Sequence, residues 1–373
     1  MKKILFMIPN LSGGGAELAL VNLIKKIDTS KDIKITVLCL FNDGVHQDKL
    51  SQKVEYKYIF KKYPKGIGKL IKYFPGKLLS RIFIRDKYDL VVSYLEGYTT
   101  KIVSGYAAPK INWVHRSFNN IDEASEIYRN KKDLLKTYSE YNMTVFVSET
   151  AEDSFKKLKI LDSNKSCVIY NSLDIQLILD KSDEYLEDSW FDSDMTNIIS
   201  IGRFVDQKAF DRLIQIIKRI VESGYENVRL TILGTGKYFS EYTKLVKELS
   251  MENYINLPGF KENPYKYVKN SDIYICSSLF EGFSTAVSEA LILGKVVVTT
   301  DCSGMYELLG DNVCGIITEN NEEELEKGLI KILSNNELYE QLTVNAQRKS
   351  LVLRKNDNHK KVMELFGKIG GVK

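Results

Sequence analysis

Short apolar runs rich in Ile, Val and Leu alternate along the chain with segments whose apolar residues recur at helical spacing. Apolar runs of this kind, flanked by helices, are how βα units build parallel sheets covered on both faces. In the first half the runs KKILFMIP, IKITVLCLF, YDLVVSY, INWVH, MTVFVSE and CVIYN predict the strands of one sheet. Between Leu173 and Met195 the strand signal stops and acidic residues cluster, among them Asp174, Asp180, Asp183, Glu184, Glu187 and Asp188, which predicts a linker or linking helix. A second set then follows: NIISIGR, VRLTILG, YINLPG, DIYICSS, KVVVTT and CGIITE, with helical spacing between them over Phe210–Ser223 and Glu323–Leu333.

The pattern predicts an α/β protein with two Rossmann-like parallel-sheet lobes facing each other across a cleft. The expected divisions are a first lobe at 1–175, an acidic linker at 176–195, a second lobe at 196–350 and a helical stretch at 351–373 that could return to brace the first lobe. A chain of 373 residues is too long for one ordinary core and suits two. Hydrophobic residues make up 44% and charged residues 27% of it, with six prolines and no low-complexity tract, which excludes a disordered chain.

Net charge is only +4, too mild for nucleic-acid binding unless it gathers on one face. It does gather between Lys61 and Arg85: Lys61, Lys62, Lys65, Lys69, Lys72, Lys77, Arg81 and Arg85 lie there among aromatic and aliphatic residues, with no acidic residue. Such a basic amphipathic stretch suits peripheral contact with the inner leaflet of a membrane through Lys69, Lys72, Lys77 and Arg81, and a polyprenyl-linked partner there. The plainer reading is a solvated helix packed on the first lobe. No run approaches the roughly 18–20 apolar residues of a membrane span, and MKKILFMIPNLSGG reads as a first strand rather than a signal peptide. The five cysteines are widely spaced and mostly inside apolar runs, so buried, reduced thiols in a cytosolic compartment are expected.

Two loops carry candidate chemistry. Glu281-Gly-Phe-Ser-Thr-Ala-Val-Ser-Glu289 follows the strand DIYICSS and opens a helix. There the free amides around Ser284, Thr285 and Ala286, with the helix dipole, can face a phosphate. Glu289, a turn or so further in, is within reach of a ribose, and Glu281 can accept hydrogen bonds from sugar hydroxyls. The second loop, Gly202-Arg203-Phe-Val-Asp-Gln-Lys208, again leaves an apolar strand and places two cations. A guanidinium fork and a compact ammonium together suit the charge that grows on a departing diphosphate, although either alone is most simply a solvated surface charge.

Glu281 and Glu289 with seven residues between them, the Gly-Arg…Lys loop and the N-terminal Gly13-Gly14-Gly15-Ala16-Glu17 together resemble the retaining glycosyltransferases of family 4, with the GT-B fold, of the type that assembles capsule, exopolysaccharide and lipid-linked oligosaccharides. The resemblance spans both expected lobes, with further matching points at His115, Ser148-Glu149, Asn171, Asp174, Gly234, Gly236, Gly304 and Glu307. It implies that Arg203 and Lys208 grip the donor diphosphate, Glu289 the ribose and Glu281 the transferred sugar. It also implies that the amides of Ser284, Thr285 and Ala286 and of Gly14 or Gly15 meet the phosphates, that backbone near Phe260 holds the base, and that His115 lies near the sugar. The implied enzyme is cytoplasmic and peripheral to the membrane. It moves a hexose or N-acetylhexosamine from a UDP-sugar to a polyprenyl-diphosphate-linked glycan with retention, and needs neither cofactor nor metal.

Two departures touch backbone rather than charge: Ala209 stands where the family usually has glycine, and NSLD replaces the commoner NGVD or NPVD. The G-x-G-x-x-G spacing of a dinucleotide site is not met, so three glycines after a strand otherwise read as a turn. Asp192-Ser-Asp194 matches the D-x-D of metal-dependent transferases but sits in the acidic linker, away from a strand end, and reads as coincidence. A same-fold epimerase or hydrolase would consume donor without acceptor. A non-catalytic partner of another transferase would not need Glu281, Glu289, Arg203 and Lys208 intact.

Overall fold

The computed structural model describes residues 1–12, 14–27, 32–355 and 358–372. They divide into two compact units. The first comprises the chain up to Leu173 together with the C-terminal helix Asn358–Gly370, and the second begins at Asp174.

The first unit is built on seven parallel strands: β1 (Lys2–Ile8), β2 (Ile33–Phe41), β3 (Glu55–Phe60), β4 (Leu90–Ser93), β5 (Lys110–Val114), β6 (Met143–Phe146) and β7 (Ser166–Val168), in the spatial order β3-β2-β1-β4-β5-β6-β7. The second has six: β8 (Thr196–Ile201), β9 (Val228–Leu233), β10 (Ile255–Gly259), β11 (Ile273–Cys276), β12 (Val296–Thr300) and β13 (Gly315–Thr318), in the order β10-β9-β8-β11-β12-β13. Both sheets are doubly wound and reverse their strand order once, at β1/β4 and at β8/β11. In such sheets ligands bind beyond the carboxyl ends of the strands at that reversal. Ile4, Leu5, Phe6, Val91, Val92, Ile198, Ile199 and Val298 are buried to within 1% of completely, as residues covered by helices on both faces must be.

Strand β3, not expected from the sequence, reads Glu-Tyr-Lys-Tyr-Ile-Phe and lacks an apolar run because it is an edge strand, half exposed on both faces. Its Glu55 and Lys57 pair with each other and with Lys34 and Asp86, the charged trim that keeps an edge from pairing with other chains. The segment expected as an acidic linker contains a helix, Ile175–Ser182, capped by Asp174. This helix belongs to the second unit, where it packs on helix Tyr265–Lys269. Asp192 accepts a hydrogen bond from the Asp194 amide at 3.0 Å, a local turn. Helix Asn336–Arg354 lies on helix Thr285–Ile292 and closes its C-terminus: Ser350 Oγ (2.5 Å) and Arg354 Nη2 (2.9 Å) both donate to the Ile292 carbonyl. Helix Asn358–Gly370 packs in the first unit, with Phe366 6.0 Å from Phe6 between ring centres.

All five cysteines are free thiols, four of them buried. Burial pushes Cys39 and Cys302 up to about 12, so neither forms a reactive thiolate. No helix among the described residues is long and apolar enough to cross a membrane.

Candidate active site

At the strand reversal of the second unit, the loop after β8 is held from behind by the glycines after β9. Gly202 N donates to Leu233 O (3.0 Å), and Phe204 N donates to Thr235 O (2.9 Å). Gly234 and Gly236 have φ of +137° and +157°. A Cβ on Gly234 would sit 1.9 Å from the Gly202 carbonyl oxygen, and one on Gly236 would sit 2.6 Å from that of Phe204. These glycines are therefore the bed on which the Arg203–Lys208 loop lies. A single 3₁₀ turn, Asp206–Lys208, ends at Ala209 with φ 46° and ψ 48°. That left-handed position explains why glycine is the usual occupant; here alanine bears the strain with its side chain buried.

The loop after β11 is zipped to the same turn. Leu279 N donates to Gln207 O (2.8 Å), Gln207 Nε2 to Phe280 O (2.9 Å) and Ser277 Oγ to Lys208 O (2.7 Å). From the far side, Thr300 Oγ1 donates to Ser278 O (2.7 Å) and Asn320 Nδ2 to Leu279 O (2.8 Å). This frame brings Lys208 Nζ to 2.6 Å from Glu281 Oε1, which also accepts from Ser278 Oγ at 2.6 Å. Burial by itself would depress the lysine, but the Glu281 carboxylate outweighs it and holds Lys208 above its ordinary value, hence fully charged. Arg203 is exposed, and its charge is felt at Lys208. Ser278, which orients Glu281, is a participant that sequence reading missed; its signal was only its place three residues before the glutamate.

Beyond Glu281 the chain enters helix Thr285–Ile292. Ser284 caps it, accepting from Val287 N at 3.4 Å, and the first intrahelical bond runs from Ser288 N to Ser284 O. The amides of Thr285 and Ala286 precede that bond and have no acceptor within the helix. Glu289, one turn in, accepts from the Tyr265 hydroxyl at 3.1 Å. Burial raises the Glu289 carboxyl to about 7, against a smaller opposite pull from Tyr265, and the tyrosine is itself pushed up by burial and by Glu289. Tyr265 was not singled out from sequence. Phe260 follows β10 through Gly259, with 71% of its surface exposed. One strand-end surface thus carries two cations, two carboxylates and a helix start.

Residues 181–349 match the family model described as glycosyl transferases group 1. Over 360 residues the chain is 29% identical to the Campylobacter jejuni N-acetylgalactosamine-N,N'-diacetylbacillosaminyl-diphospho-undecaprenol 4-alpha-N-acetylgalactosaminyltransferase, a match covering 91% of this chain and 92% of the relative. The chain is a glycosyltransferase. It is also 31% identical to an uncharacterized glycosyltransferase of Methanocaldococcus jannaschii over 261 residues, 63% of each chain. Among solved structures, Anabaena Alr3699/HepE in complex with UDP and glucose superposes with a TM-score of 0.76 at 18% identity, covering 98% of this chain and 100% of that one. The shared architecture is GT-B, two Rossmann-like lobes.

The glycosyltransferase's first lobe places the remaining expected residues around the β1/β4 reversal. Helix Gly15–Ile27 starts at Gly15, directly after Gly14, whereas Gly13 lies outside the described residues. A Cβ on Gly14 would meet the Glu17 carboxylate at 2.2 Å, and Ser12 Oγ donates to Glu17 Oε1 at 3.1 Å. His115 leaves β5 half-buried, with its ring 5.1 Å from that of Tyr94. Burial lowers its imidazole to about 3, only partly offset by a hydrogen bond to the Tyr94 backbone, so it is neutral. Its Nε2 is buried without a hydrogen-bond partner. The His115 amide donates to Glu96 Oε2 at 2.8 Å; Glu96 is a second residue that sequence reading missed.

The basic stretch of this lobe forms helices Ile67–Tyr73 and Gly76–Phe83. Ile67, Ile71 and Leu79 pack inward, while Leu70, Tyr73, Phe74, Leu78 and Ile82 are exposed together with Lys69, Lys77 and Arg81. Lys72 differs, since its Nζ donates to Glu126 O at 2.8 Å. The pair of helices is pinned from below by buried Lys101, whose Nζ is 2.5 Å from both Lys72 O and Asp133 Oδ2. No group of three or more His, Cys, Asp or Glu among the described residues is placed to hold a metal ion.

Proposed function

We propose that this glycosyltransferase binds the diphosphate of a UDP-sugar at the β8/β11 edge and transfers a hexose or N-acetylhexosamine, with retention of configuration, to a polyprenyl-diphosphate-linked glycan. The observation that carries the reading is the Lys208–Glu281 pair, 2.6 Å apart and largely buried, next to the amides of Thr285 and Ala286 that open helix Thr285–Ile292. A diphosphate arriving there draws Lys208 toward its oxygens, joined by Arg203 and the amides of Thr285 and Ala286. Glu281 is left to accept from hydroxyls of the transferred sugar. Glu289 accepts from the ribose. Negative charge develops on the leaving diphosphate as the sugar departs, and these fixed donors stabilise it without a metal. Acceptor hydroxyl and leaving phosphate share one face of the sugar, so the acceptor's proton passes to that phosphate and catalysis consists of positioning and electrostatics.

The donor assignment is supported by the UDP complex of HepE, which shares the fold, and the acceptor class by the diphospho-undecaprenol named for the Campylobacter relative. The exposed basic and apolar face of helices Ile67–Tyr73 and Gly76–Phe83 fits a peripheral position at the cytoplasmic leaflet. The test is UDP release from a panel of UDP-sugars, with and without lipid-linked glycan. Acceptor-stimulated release is expected for at least one donor. Arg203→Ala and Lys208→Ala are each expected to lower it more than tenfold, on the scale of one lost transition-state donor. Wild-type turnover in both variants rejects the site.

A further inference from the structure

The chain leaving β10 passes through Glu262-Asn-Pro264 and turns into the short helix Tyr265–Lys269. Pro264, with φ −77°, sets the direction of that turn. Asn263 ties it down on both sides. Its Oδ1 accepts from the Tyr265 amide at 3.1 Å, while its Nδ2 donates at 2.8 Å to both the Lys181 carbonyl and Glu184 Oε2. Helix Tyr265–Lys269 packs along helix Ile175–Ser182, which also touches helix Thr285–Ile292. Three pieces of the second lobe thus decide where the Tyr265 ring lies, and its hydroxyl ends 3.1 Å from Glu289 Oε1.

Glu289 makes no ion pair among the described residues, and its Oε2 accepts from none of them. The side chain is only partly buried, and Oε2 is not sealed from solvent. One carboxylate oxygen is therefore fixed and the other is open. A free glutamate side chain loses rotamer entropy when a ligand orders it, and holding one oxygen beforehand removes part of that cost. The donor that does the holding is neutral. A cation at this distance would neutralise the carboxylate, whereas the phenol, pushed up by burial and by Glu289, stays protonated and supplies a single directed hydrogen bond. The other ionisable groups that interact with this pair are Asp174, the cap of helix Ile175–Ser182, and Tyr274 on β11; neither is a cation.

We propose that Tyr265 is the positioning residue of the ribose site, its hydroxyl fixing Oε1 of the Glu289 carboxylate so that Oε2 is set for the ribose hydroxyls. The proposal rests on the reading of Glu289 as the ribose acceptor and adds the residue through which that carboxylate is oriented and kept ionised. Calorimetric titration of the full chain with UDP-glucose at about pH 7 and about pH 8.5 tests it, in the wild type, Tyr265→Phe, Glu289→Gln and the double variant. Phenylalanine keeps the ring and removes only the hydrogen bond to the charged carboxylate, which moves the Glu289 midpoint up from about 7 by roughly one pH unit. At pH 7 the ionised fraction then falls from about a half to about a tenth, so Tyr265→Phe is expected to weaken binding about fivefold there and less than twofold at pH 8.5. Glu289→Gln should weaken binding at least about fivefold at pH 8.5, and adding Tyr265→Phe to it should change affinity less than twofold at either pH. Unfolding midpoints without ligand show that each variant is folded. No loss in Tyr265→Phe, a loss equal at the two pH values, or a loss undiminished in the Glu289→Gln background overturns the proposal and leaves the ribose reading standing. Equal binding by the wild type and Glu289→Gln at pH 8.5 sinks the ribose reading instead, and the role of the tyrosine falls with it.

Discussion

Glu289→Gln separates the electrostatics of the second lobe from the catalysis proposed there. The wild-type carboxyl is raised by burial from 4.5 to about 7, and each tenfold change in an ionisation constant is about 1.4 kcal/mol. The ionised form is thus disfavoured in the folded lobe by about 3 kcal/mol. Between those two values the folded chain holds a proton that the unfolded chain has released, so stability falls as pH rises through that window and stays low above it. Glutamine preserves the shape and an acceptor for the Tyr265 hydroxyl but carries no charge at any pH. Urea unfolding in a Trp113→Phe background checks this, because the chain has two tryptophans and the one left, Trp190, lies in the second unit. At about pH 4 the variant and the parent should agree within about 0.5 kcal/mol. At about pH 8.5 the variant should be more stable by about 3 kcal/mol, and the parent alone should show the slope. Parallel profiles across that range would refute the reasoning. If Glu289 accepts from the ribose as proposed, UDP-glucose affinity should weaken as pH falls below about 7 in the parent and lose that dependence in the variant.

Other outcomes follow from single contacts. Gly234→Ala places a methyl against the Gly202 carbonyl at a φ of +137°; it is expected to cost at least about 2 kcal/mol in urea unfolding and to weaken UDP binding by shifting the Lys208 loop. Lys101→Met strands Asp133 from its 2.5 Å partner and should cost about 3–5 kcal/mol, whereas Lys101→Met with Asp133→Leu recovers most of it; equal losses in single and double variants would deny the pair its role. Reversing the exposed Lys69, Lys77 and Arg81 to Glu removes about 1 kcal/mol of attraction per charge at an anionic bilayer, so partitioning onto phosphatidylserine vesicles should drop by roughly a hundredfold or more; unchanged co-sedimentation refutes the membrane face.

Alternation of apolar runs and helical spacing was enough to place twelve of the thirteen strands among the described residues and the two-lobed fold, because a strand covered on both faces must be apolar throughout its length. The gathering of candidate groups at the β8/β11 edge was legible for a similar reason: a glutamate, a helix start and a cationic loop each follow a strand end, and parallel sheets collect strand ends on one side. Strand β3 stayed hidden because an edge strand buries neither face fully and so mixes Glu55 and Lys57 with its aromatics. Which groups meet was decided only by tertiary structure. Lys208 and Glu281 are 73 residues apart and become partners through the adjacency of β8 and β11, a sheet order that no local periodicity encodes. In the basic stretch, composition showed charge and apolarity together, whereas packing decided that Ile67, Ile71 and Leu79 turn inward, that Lys72 is bonded to Glu126, and that Leu70, Phe74, Leu78 and Ile82 are left outside. Sequence records which residues prefer burial; the fold, by choosing which surfaces adjoin, determines which of them obtain it.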